Sequence, residues 1–433
     1  MPSTLAWFLF AASALACAVW AWINFGGGYG RSTRYRLPQP VASRQGSDTS
    51  APVNADPQPA GTIAPELRDA QRAQGKLPGV AIISPGRDEA EHLPTVLPEL
   101  CGQDYPTLDV VFVDDASSDA TPTLTAELLR RHDNLLVVRN DEEPPAGWMG
   151  KCWAVARGYR ALQAQIPNQH STIEWLCFTD ADIHWHPRLL RTAMEYAAEH
   201  DADLLGVTPT LRFGSAGEAI VQLQLVLALG LLFPFEKAMD PDTDFALTGG
   251  AFILVRRSFY DQIGGHEAVK GEMVEDLKLG SALKAAGAKH RVAMAGDLQW
   301  CRMYDGWADM WEGLTKNAYA GLEHRWWRAL AVLIGTIVLN VLPPVYAVVG
   351  AIWLAVSPGW MPAATLMLSL ATVLLHARSL NTTRRLMHLP WWYMWTMLPG
   401  NATYAVILLV SVLHYHTKGN TWKGRRYPAA ASA

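Results

Sequence analysis

Four uncharged apolar stretches set the strongest limit on how this chain can fold. They are Thr4–Phe25, Ala329–Val356, Met361–Ala377 and Trp391–Leu413. A helix of about 20 apolar residues spans the roughly 30 Å hydrocarbon core of a bilayer, and backbone groups in that core must be satisfied within the segment, which favours helices. The sequence therefore predicts a membrane protein with one N-terminal span, three C-terminal spans and a soluble middle.

The first apolar stretch has two interpretations, a retained anchor and a cleaved signal peptide. No basic residue precedes it, and the apolar run continues beyond the Ala-Leu-Ala sequence before Cys17, which favours an anchor. Basic residues follow it at Arg31, Arg34, Arg36 and Arg44. By the positive-inside rule, the middle of the chain is expected on the cytoplasmic side of the cell (inner) membrane.

Charge and cysteine content narrow the function of the soluble part. The 433 residues carry a formal net charge of −4, so no nucleic-acid partner is expected. The 5 cysteines include no CxxC pair, which favours reduced thiols over a disulfide framework or a cysteine zinc site. Both observations agree with a cytoplasmic domain.

The chain from Leu77 onward has the alternation of strands and helices that is typical of an α/β domain. Strands are predicted at Val80–Ser84, Leu108–Asp115, Asn134–Val138, Glu174–Thr179 and near Asp203–Thr208, and helices at Thr121–His132, from Lys151 and at Arg188–His200. This pattern predicts a buried parallel sheet. In such sheets, ligands bind where the strands end at their carboxyl side.

The same pass along the chain predicts five segments. They are an N-terminal transmembrane anchor (1–25), a linker rich in Pro, Ser and Ala (26–76), an α/β domain (77–328), a C-terminal transmembrane region (329–413) and a basic tail (414–433). The linker composition is too polar to bury a core of its own.

Acidic residues cluster after three of the predicted strands. Asp88 and Glu89 follow the first, Asp114 and Asp115 end the second, and Asp180 and Asp182 follow a later one. Helix capping explains Ser118 and Asp119, which precede a helix, but explains Asp114 and Asp115 poorly. Residues two apart on a strand point to the same side. Asp180 and Asp182 would then offer Mg²⁺ or Mn²⁺ the oxygen ligands that these ions prefer.

Two polar motifs each allow a second interpretation. His184 and His186 follow the aspartates, and together they would form a His/Asp site for iron or zinc in a hydrolase or oxygenase. Glu275 and Asp276 open a helix that Gly287 ends. Two acids in a first turn are favoured by the helix dipole alone, and equally one of them could be a general base.

Six motifs, in order along the chain, resemble family 2 glycosyltransferases with the GT-A fold. They are SPGRDEAEHLP, VVFVDDASSDAT, GWMGKCWA, FTDAD, GGAFILVRRSFYDQIGG and VEDLKLG, within about Leu77 to Arg328. The later segments QWCRMYDGWADMWEGLTKN and TWKGRRY are similar to a narrower group, the hopene-associated glycosyltransferases, with carotenoid glycosyltransferases and ceramide glucosyltransferase more distant. The resemblance implies a Rossmann-like, mostly parallel sheet that binds a nucleotide-diphospho-sugar.

The resemblance also implies a role for each matching residue. Nucleotide-sugar binding falls on Pro85, Arg87, Glu89, Asp115, Lys151 and Asp180; Mg²⁺ or Mn²⁺ binding on Asp180 and Asp182; and the loop between sugar and acceptor on Gly249, Gly250 and Ala251. The catalytic base falls on Asp276, with Glu275 beside it. Gln299 and Arg302 match part of a QxxRW motif, but Met303 replaces its Trp, which leaves the role of that motif open.

The function that the resemblance implies is the inverting transfer of a single sugar from a nucleotide sugar, first of all a UDP-sugar, to a membrane lipid of the hopanoid or isoprenoid type. A processive polysaccharide synthase is an alternative that the incomplete QxxRW motif disfavours. A non-catalytic nucleotide-binding membrane scaffold is another, although both the DxD motif and the base are present.

Two apolar segments carry expectations about the membrane. Ala219–Phe235 lies between the donor and base motifs, and we expect it at the membrane interface or buried against the membrane helices rather than spanning. Pro399-Gly400 predicts a break of the last apolar stretch into a re-entrant hairpin.

Overall fold

The computed structural model describes residues 4–26, 35–39, 77–165, 173–272, 274–417, 420–422 and 425–427. The chain divides into two compact units. The sheet unit comprises Thr33–Thr210 and Phe235–Cys301, and the helical unit comprises Met1–Ser32, Leu211–Pro234 and Arg302–Ala433. Most of the predicted linker, with Arg31, Arg34 and Arg44, lies outside the described residues, as do Lys418 and Lys423 of the predicted tail.

Strands and helices are numbered here in chain order. The strands are β1 Gly79–Gly86, β2 Leu108–Asp114, β3 Leu135–Arg139, β4 Ile173–Phe178, β5 Ile183–Trp185, β6 Leu204–Thr208, β7 Thr210–Leu211, β8 Ile253–Arg256, β9 His290–Met294, β10 Gln299–Cys301, β11 Asn420–Trp422 and β12 Arg425–Tyr427. The α-helices are α1 Thr4–Ala21, α2 Leu93–Cys101, α3 Thr121–Leu129, α4 Gly150–Gln165, α5 Leu189–Glu199, α6 Ala216–Leu232, α7 Phe235–Met239, α8 Arg257–Gln262, α9 Glu275–Ala285, α10 Trp307–Ala320, α11 Trp326–Thr336, α12 Leu342–Val356, α13 Trp360–Leu386 and α14 Met397–Thr417.

A seven-stranded sheet organises the sheet unit, in the order β3-β2-β1-β4-β8-β6-β9. β1 pairs in parallel with β2 and β4, β2 with β3, and β6 with β9. The mostly parallel sheet that the sequence predicts is therefore present. Two strands of this sheet, β8 and β9, were not predicted from the sequence. β8 runs antiparallel to both β4 and β6, and its short sequence ILVR gives no alternation from which to predict it.

Close helix–strand packing places α4 against the sheet. A methyl group added at Gly158 would lie 2.6 Å from Val113 Cγ2 and 3.1 Å from Ile83 Cγ2, so only glycine allows this approach to β1 and β2. Val113 and Ile83 belong to the buried core of the unit. Lys151 is in the first turn of α4. The packing at Gly158 therefore helps to fix the position of the Lys151 backbone relative to the sheet.

Part of the predicted linker is an exception to its expected lack of structure. Residues 35–39 run beside β9, where Leu37 N donates to Met294 O (3.0 Å) and Met294 N donates to Tyr35 O (2.7 Å). Leu37 is buried. Gln39 adds two hydrogen bonds, from its Nε2 to Ala295 O (3.0 Å) and to its Oε1 from Asp297 N (2.8 Å). The polar composition of the surrounding linker concealed this short segment.

Within its described residues, the helical unit has four helices that are long and apolar enough to cross a membrane. They are Thr4–Phe25, Trp326–Val356, Trp360–Leu386 and Met397–Thr417. Each overlaps one of the apolar stretches predicted from the sequence. The third is longer than expected, so that Arg384 and Arg385 lie in its last turn instead of in a connecting loop, where cationic side chains complement the helix dipole.

The predicted break at Pro399-Gly400 is wrong. α14 is one continuous helix from Met397 to Thr417, because Pro399 stands near its start, where proline removes no intrahelical hydrogen bond. Gly400 serves packing: a methyl group there would lie 2.5 Å from Gln224 Cγ and 2.7 Å from Ile220 O. α14 and α6 therefore cross at close range within the helical unit.

A buried polar network joins α6 to two of the long helices. Gln224 Oε1 accepts a hydrogen bond from Asn401 Nδ2 (2.9 Å) and lies 3.2 Å from His376 Nε2. Gln224 Nε2 donates to the carbonyl oxygen of Thr396 (3.3 Å). The helix that we expected at the interface or against the membrane helices has its buried residues between Glu218 and Leu227. Three of them, Ala219, Leu223 and Leu227, pack in one cluster with residues of the long helices.

Candidate active site

A cavity opens where β1 and β4 end at their carboxyl side, as the strand pattern predicts. Six of its lining residues belong to the predicted site or lie beside it: Pro85, Lys151, Asp180, Gly250, Glu275 and Asp276. Val155, Phe178, Thr179, Ile253 and His266 complete the lining. All of these residues belong to the sheet unit. Residues that are up to almost two hundred positions apart in sequence thus face one space.

Gly250 connects the two acidic motifs of the site. Its carbonyl oxygen accepts a hydrogen bond from Asp180 N (3.0 Å), and its N–H donates to Asp276 Oδ2 (3.0 Å). A methyl group on Gly250 would lie 2.5 Å from Asp180 Oδ2 and 2.8 Å from Lys151 Nζ. No side chain fits here without displacing them, which explains why glycine stands at this position.

Lys151 holds a positive charge between the carboxylates. Its Nζ lies 2.6 Å from Asp180 Oδ1 and 2.8 Å from Glu275 Oε1. Burial alone would lower the pKa of Lys151, but the carboxylates of Asp180, Glu275 and Asp276 outweigh it and raise the pKa well above its usual value. Lys151 is therefore a permanent cation in this cavity.

Asp276 is held by backbone groups at the start of α9. Besides the bond from Gly250 N, its Oδ1 accepts from Leu277 N (2.8 Å), and Thr248 Oγ1 donates to its carbonyl oxygen (2.6 Å). Burial, with the neighbouring charge of Glu275, raises the pKa of Asp276. A carboxylate with a raised pKa accepts a proton more readily than an exposed one.

Asp180 and Asp182 lie close together, but not in the way expected. β4 ends at Phe178, so the two aspartates follow the strand in a turn, and strand alternation does not align them. Burial, then the charge of Asp180, then that of Glu89, raises the pKa of Asp182. This concentration of carboxylate charge fits a hard cation such as Mg²⁺ or Mn²⁺.

The available side chains limit which metal ion these residues would suit. No group of three or more His, Cys, Asp or Glu side chains that could hold a metal ion occurs in the part of the chain that the structure describes. Two carboxylates with room for further oxygen ligands suit Mg²⁺ or Mn²⁺, which commonly complete their shell with phosphate oxygens and water.

The residues predicted to contact the nucleotide lie at the ends of β1 and β2. Asp115 is buried, and its Oδ1 accepts from Asn140 Nδ2 (2.8 Å). The loop with Arg87 and Glu89 is fixed by the residue between them: Asp88 has a φ of 55°, and its Oδ1 accepts from Ser118 N (2.7 Å). The capping serine predicted from the sequence therefore joins two loops.

The remaining predicted residues divide between the two units. Ala251 O accepts hydrogen bonds from Thr179 Oγ1 (2.8 Å) and Gln299 Nε2 (2.9 Å), so Gln299 supports the glycine loop. Arg302 belongs to the helical unit, where it lies 3.9 Å from Glu218 Oε2 and 3.3 Å from Asp305 Oδ1. An added methyl group at Gly249 would meet no atom of the described chain within 4 Å.

His184 and His186 have contacts that make them structural residues. The ring of His184 stacks on Trp300 at 3.8 Å between centroids, and its Nδ1 lies 3.2 Å from Glu99 Oε2. His186 Nδ1 accepts from Arg188 N (3.2 Å). The His/Asp metal site considered from the sequence is not formed by these two histidines in the described structure.

One lining residue was missed by the motif analysis. His266 borders the cavity and is buried against Tyr260, whose Oη lies 2.8 Å from its Nδ1. The sequence signal was a polar residue directly after the Gly264-Gly265 turn, between two motifs of the resemblance. A lone histidine in a loop does not reveal that it faces a site.

Comparisons with known proteins agree on one family. Residues 78–324 match the family described as "Glycosyltransferase like family 2". The 4,4'-diaponeurosporenoate glycosyltransferase of Staphylococcus haemolyticus is 23% identical over 259 residues, which are 58% of this chain and 64% of that protein. The beta-monoglucosyldiacylglycerol synthase of Trichormus variabilis is 35% identical over 79 residues, which are 18% of this chain and 17% of that protein. The chain thus spans less than two thirds of either relative.

Among solved structures, the chain is similar to the mannosyltransferase PcManGT from Pyrobaculum calidifontis in complex with GDP-Man and Mn²⁺. The TM-score is 0.46 at 18% sequence identity, over 93% of this chain and 99% of that one. The family match covers more than half of the chain and, with the sheet order above, confirms the predicted GT-A fold. The chain belongs to the family 2 glycosyltransferases.

Proposed function

We propose that this chain is a membrane-bound inverting glycosyltransferase that moves a single sugar from a nucleotide sugar to a lipid hydroxyl. The observation that carries the proposal is the double hydrogen bonding of Gly250. Through it, the Asp276 carboxylate and the Asp180 carboxylate with its Lys151 partner border one cavity. A proton acceptor and a diphosphate-binding pair are then next to each other, as an inverting displacement requires.

Asp276 is the general base of the proposed reaction. Its carboxylate takes the proton of the acceptor hydroxyl while that oxygen forms a bond to the anomeric carbon of the sugar. The bond from that carbon to the diphosphate oxygen breaks, and its electron pair leaves with the diphosphate. No covalent bond to the enzyme forms, so the anomeric configuration inverts. Glu275 stays paired with Lys151 and raises the Asp276 pKa.

Asp180 and Asp182 are the residues that would hold Mg²⁺ or Mn²⁺. When bound, the ion supplies positive charge that offsets the charge developing on the diphosphate. Lys151 adds a second positive charge on the same side of the site, because it is already paired with Asp180. Burial and the neighbouring charges of Asp180 and Glu89 raise the pKa of Asp182, and a bound cation would offset the repulsion between these carboxylates.

The donor nucleotide is proposed to bind across the ends of β1 and β2. Pro85 lines the cavity, and Arg87, Glu89 and Asp115 follow in the adjoining loops. Asp115 is an acceptor for a uracil or ribose group, held in place by Asn140. We propose a UDP-sugar as the donor on this basis, with the glycine loop at Gly249 left open for the sugar or the acceptor.

A membrane lipid is the proposed acceptor. The described part of the chain has four helices able to cross a membrane. Two relatives are named as a monoglucosyldiacylglycerol synthase and a diaponeurosporenoate glycosyltransferase. A hopanoid or isoprenoid hydroxyl fits this class. We further propose that the protein is a multi-pass protein of the inner membrane with the sheet unit on the cytoplasmic side, where nucleotide sugars are available.

Incubation of membranes with labelled UDP-sugars tests the proposal. Label should appear in the lipid fraction as one sugar per lipid, with Mg²⁺ or Mn²⁺ required. Asp276→Asn should abolish transfer while nucleotide binding remains. Label in a polymer would favour a processive synthase instead, and equal label with Asp276→Asn would remove Asp276 from its role.

A further inference from the structure

His266 is a polar residue of the cavity that the proposed proton transfer does not use. Its side chain is buried, with a 5% exposed fraction, and it lines the cavity together with Lys151 and Asp276. Phe178 packs edge-on against its ring, with 5.0 Å between centroids. A polar ring in such a position needs a hydrogen-bond partner or a ligand.

Tyr260 fixes which nitrogen of His266 carries the hydrogen. The Tyr260 hydroxyl oxygen accepts a hydrogen bond from the backbone N–H of His266 (3.2 Å), so its own hydrogen is left to donate. His266 Nδ1, at 2.8 Å, is the acceptor available to that hydrogen among the described residues. A neutral imidazole has one N–H, and with Nδ1 as the acceptor this N–H is on Nε2.

The environment keeps this imidazole neutral. Burial, with the nearby charge of Lys151, lowers the pKa of His266 to about 3. At physiological pH the ring therefore carries no charge and offers one donor. Nε2 has no hydrogen-bond partner in the part of the chain that the structure describes, so its hydrogen is not used by the described protein.

The other polar groups of the cavity indicate which ligand group would accept this hydrogen. Lys151, Asp180 and Glu275 are charged and paired with one another, which suits the diphosphate and its cation. Thr179 is the other uncharged polar side chain of the lining, and its hydroxyl donates to Ala251 O (2.8 Å). His266 is the neutral side-chain donor that this leaves for an uncharged oxygen.

We infer that His266 Nε2–H binds a hydroxyl of the donor sugar and that Tyr260 sets the tautomer for this contact. The inference rests on the proposed function and adds a sugar-recognition residue to it. A neutral hydrogen bond of this kind changes affinity by about 3- to 10-fold. The contact belongs to the sugar, so the nucleoside diphosphate alone should not sense its loss.

Calorimetry on the full-length protein in detergent with Mn²⁺ tests the inference. UDP-glucose, UDP-N-acetylglucosamine and GDP-mannose are titrated beside UDP and GDP, and the donor that the wild type binds is used for the variants. His266→Phe and His266→Met both remove the N–H and keep an apolar side chain. Either variant that folds should bind the nucleotide sugar about 3- to 10-fold more weakly and its diphosphate unchanged.

Two further variants serve as controls. His266→Gln keeps an N–H donor and should restore most of the sugar affinity. His290→Met removes a buried histidine of the same unit that binds Ala238 O (3.0 Å) and is not part of the cavity lining, so it should show no selective loss. Equal affinities for wild type and His266→Phe, or equal weakening of sugar donor and diphosphate, would overturn the inference. A wild type that binds none of the three donors would contradict the proposed function itself.

Discussion

Replacement of Gly250 by alanine tests the geometry of the site at its narrowest point. Gly250 is not among the residues with a positive φ, so the backbone accepts alanine and the effect is steric. The added methyl group would lie 2.5 Å from Asp180 Oδ2, whereas ordinary contact begins at 3.4 Å. Asp180 Oδ2 must therefore move away by about 0.9 Å, the difference between 3.4 and 2.5 Å. Lys151 Nζ, which would lie 2.8 Å from the same methyl group, must also move.

The expected loss is large for transfer and small for folding. A misplacement of about 1 Å at a reacting centre costs roughly 10²-fold in rate, equivalent to about 2.7 kcal/mol. Asp180 and Lys151 have partly exposed side-chain ends that can move, so the overpacking cost to stability should stay at or below the usual range of about 1–3 kcal/mol. Gly250→Ala should therefore fold and fail in transfer.

The assay combines three measurements on one preparation. Thermal unfolding reports folding, calorimetric titration of Mn²⁺ with UDP reports the metal and diphosphate site, and label transfer to lipid reports kcat/KM. Gly249→Ala is the matched comparison for the first two, because its added methyl group would meet no described atom within 4 Å. If Gly250→Ala matched the wild type in Mn²⁺ titration and transfer, Asp180 and Lys151 would not have the proposed role.

Three other perturbations follow from the same contacts. The transfer rate should rise with pH through about 6 and level off above it. Burial and the neighbouring Glu275 raise the pKa of Asp276 to about 6, and a general base acts when it is deprotonated. A rate that falls across this range would contradict the assignment of Asp276 as the base. Lys151→Met should move this rise in rate to higher pH, because the lysine charge lowers the pKa of Asp276. A pH profile that does not move would show that the two groups are not coupled. Gln224→Leu should lower the unfolding temperature in detergent, at a cost of about 1–2 kcal/mol for the lost network. Gln222→Leu, on the same helix, should be neutral or stabilising, because its Oε1 is buried without a hydrogen-bond partner in the described chain, and equal losses in both variants would refute this contrast.

Local patterns in the sequence were sufficient to predict the parallel part of the sheet and the places of its acidic residues. Continuous apolar runs such as Val110–Val113 are buried on both faces, and polar residues follow them because ligand sites form at strand ends. Glu275 and Asp276 open a helix as predicted. These strands, the polar residues after them and the start of this helix depend on residues that are close in sequence, so the sequence alone predicts them.

Contacts between distant residues were not predictable in the same way. The pairing of Lys151 with Glu275, the position of β8 between two other strands, and the place of His266 in the cavity each depend on how separate segments meet. The expectation that alternation along a strand aligns Asp180 and Asp182 was wrong because β4 ends earlier, at Phe178. The periodicity of apolar residues predicts that a strand or helix exists. It does not predict the residue at which tertiary packing ends that element.

The anomeric configuration of the lipid product tests the central claim most directly. Purified protein, reconstituted in bilayers made from a bacterial lipid extract, is supplied with labelled α-linked UDP-sugars and Mn²⁺, and the labelled lipid is analysed by NMR. The proposed mechanism predicts one sugar per lipid in the β configuration, and no such product with Asp276→Asn. An α-linked product, or β-linked product that persists with Asp276→Asn, would contradict direct displacement with Asp276 as the base.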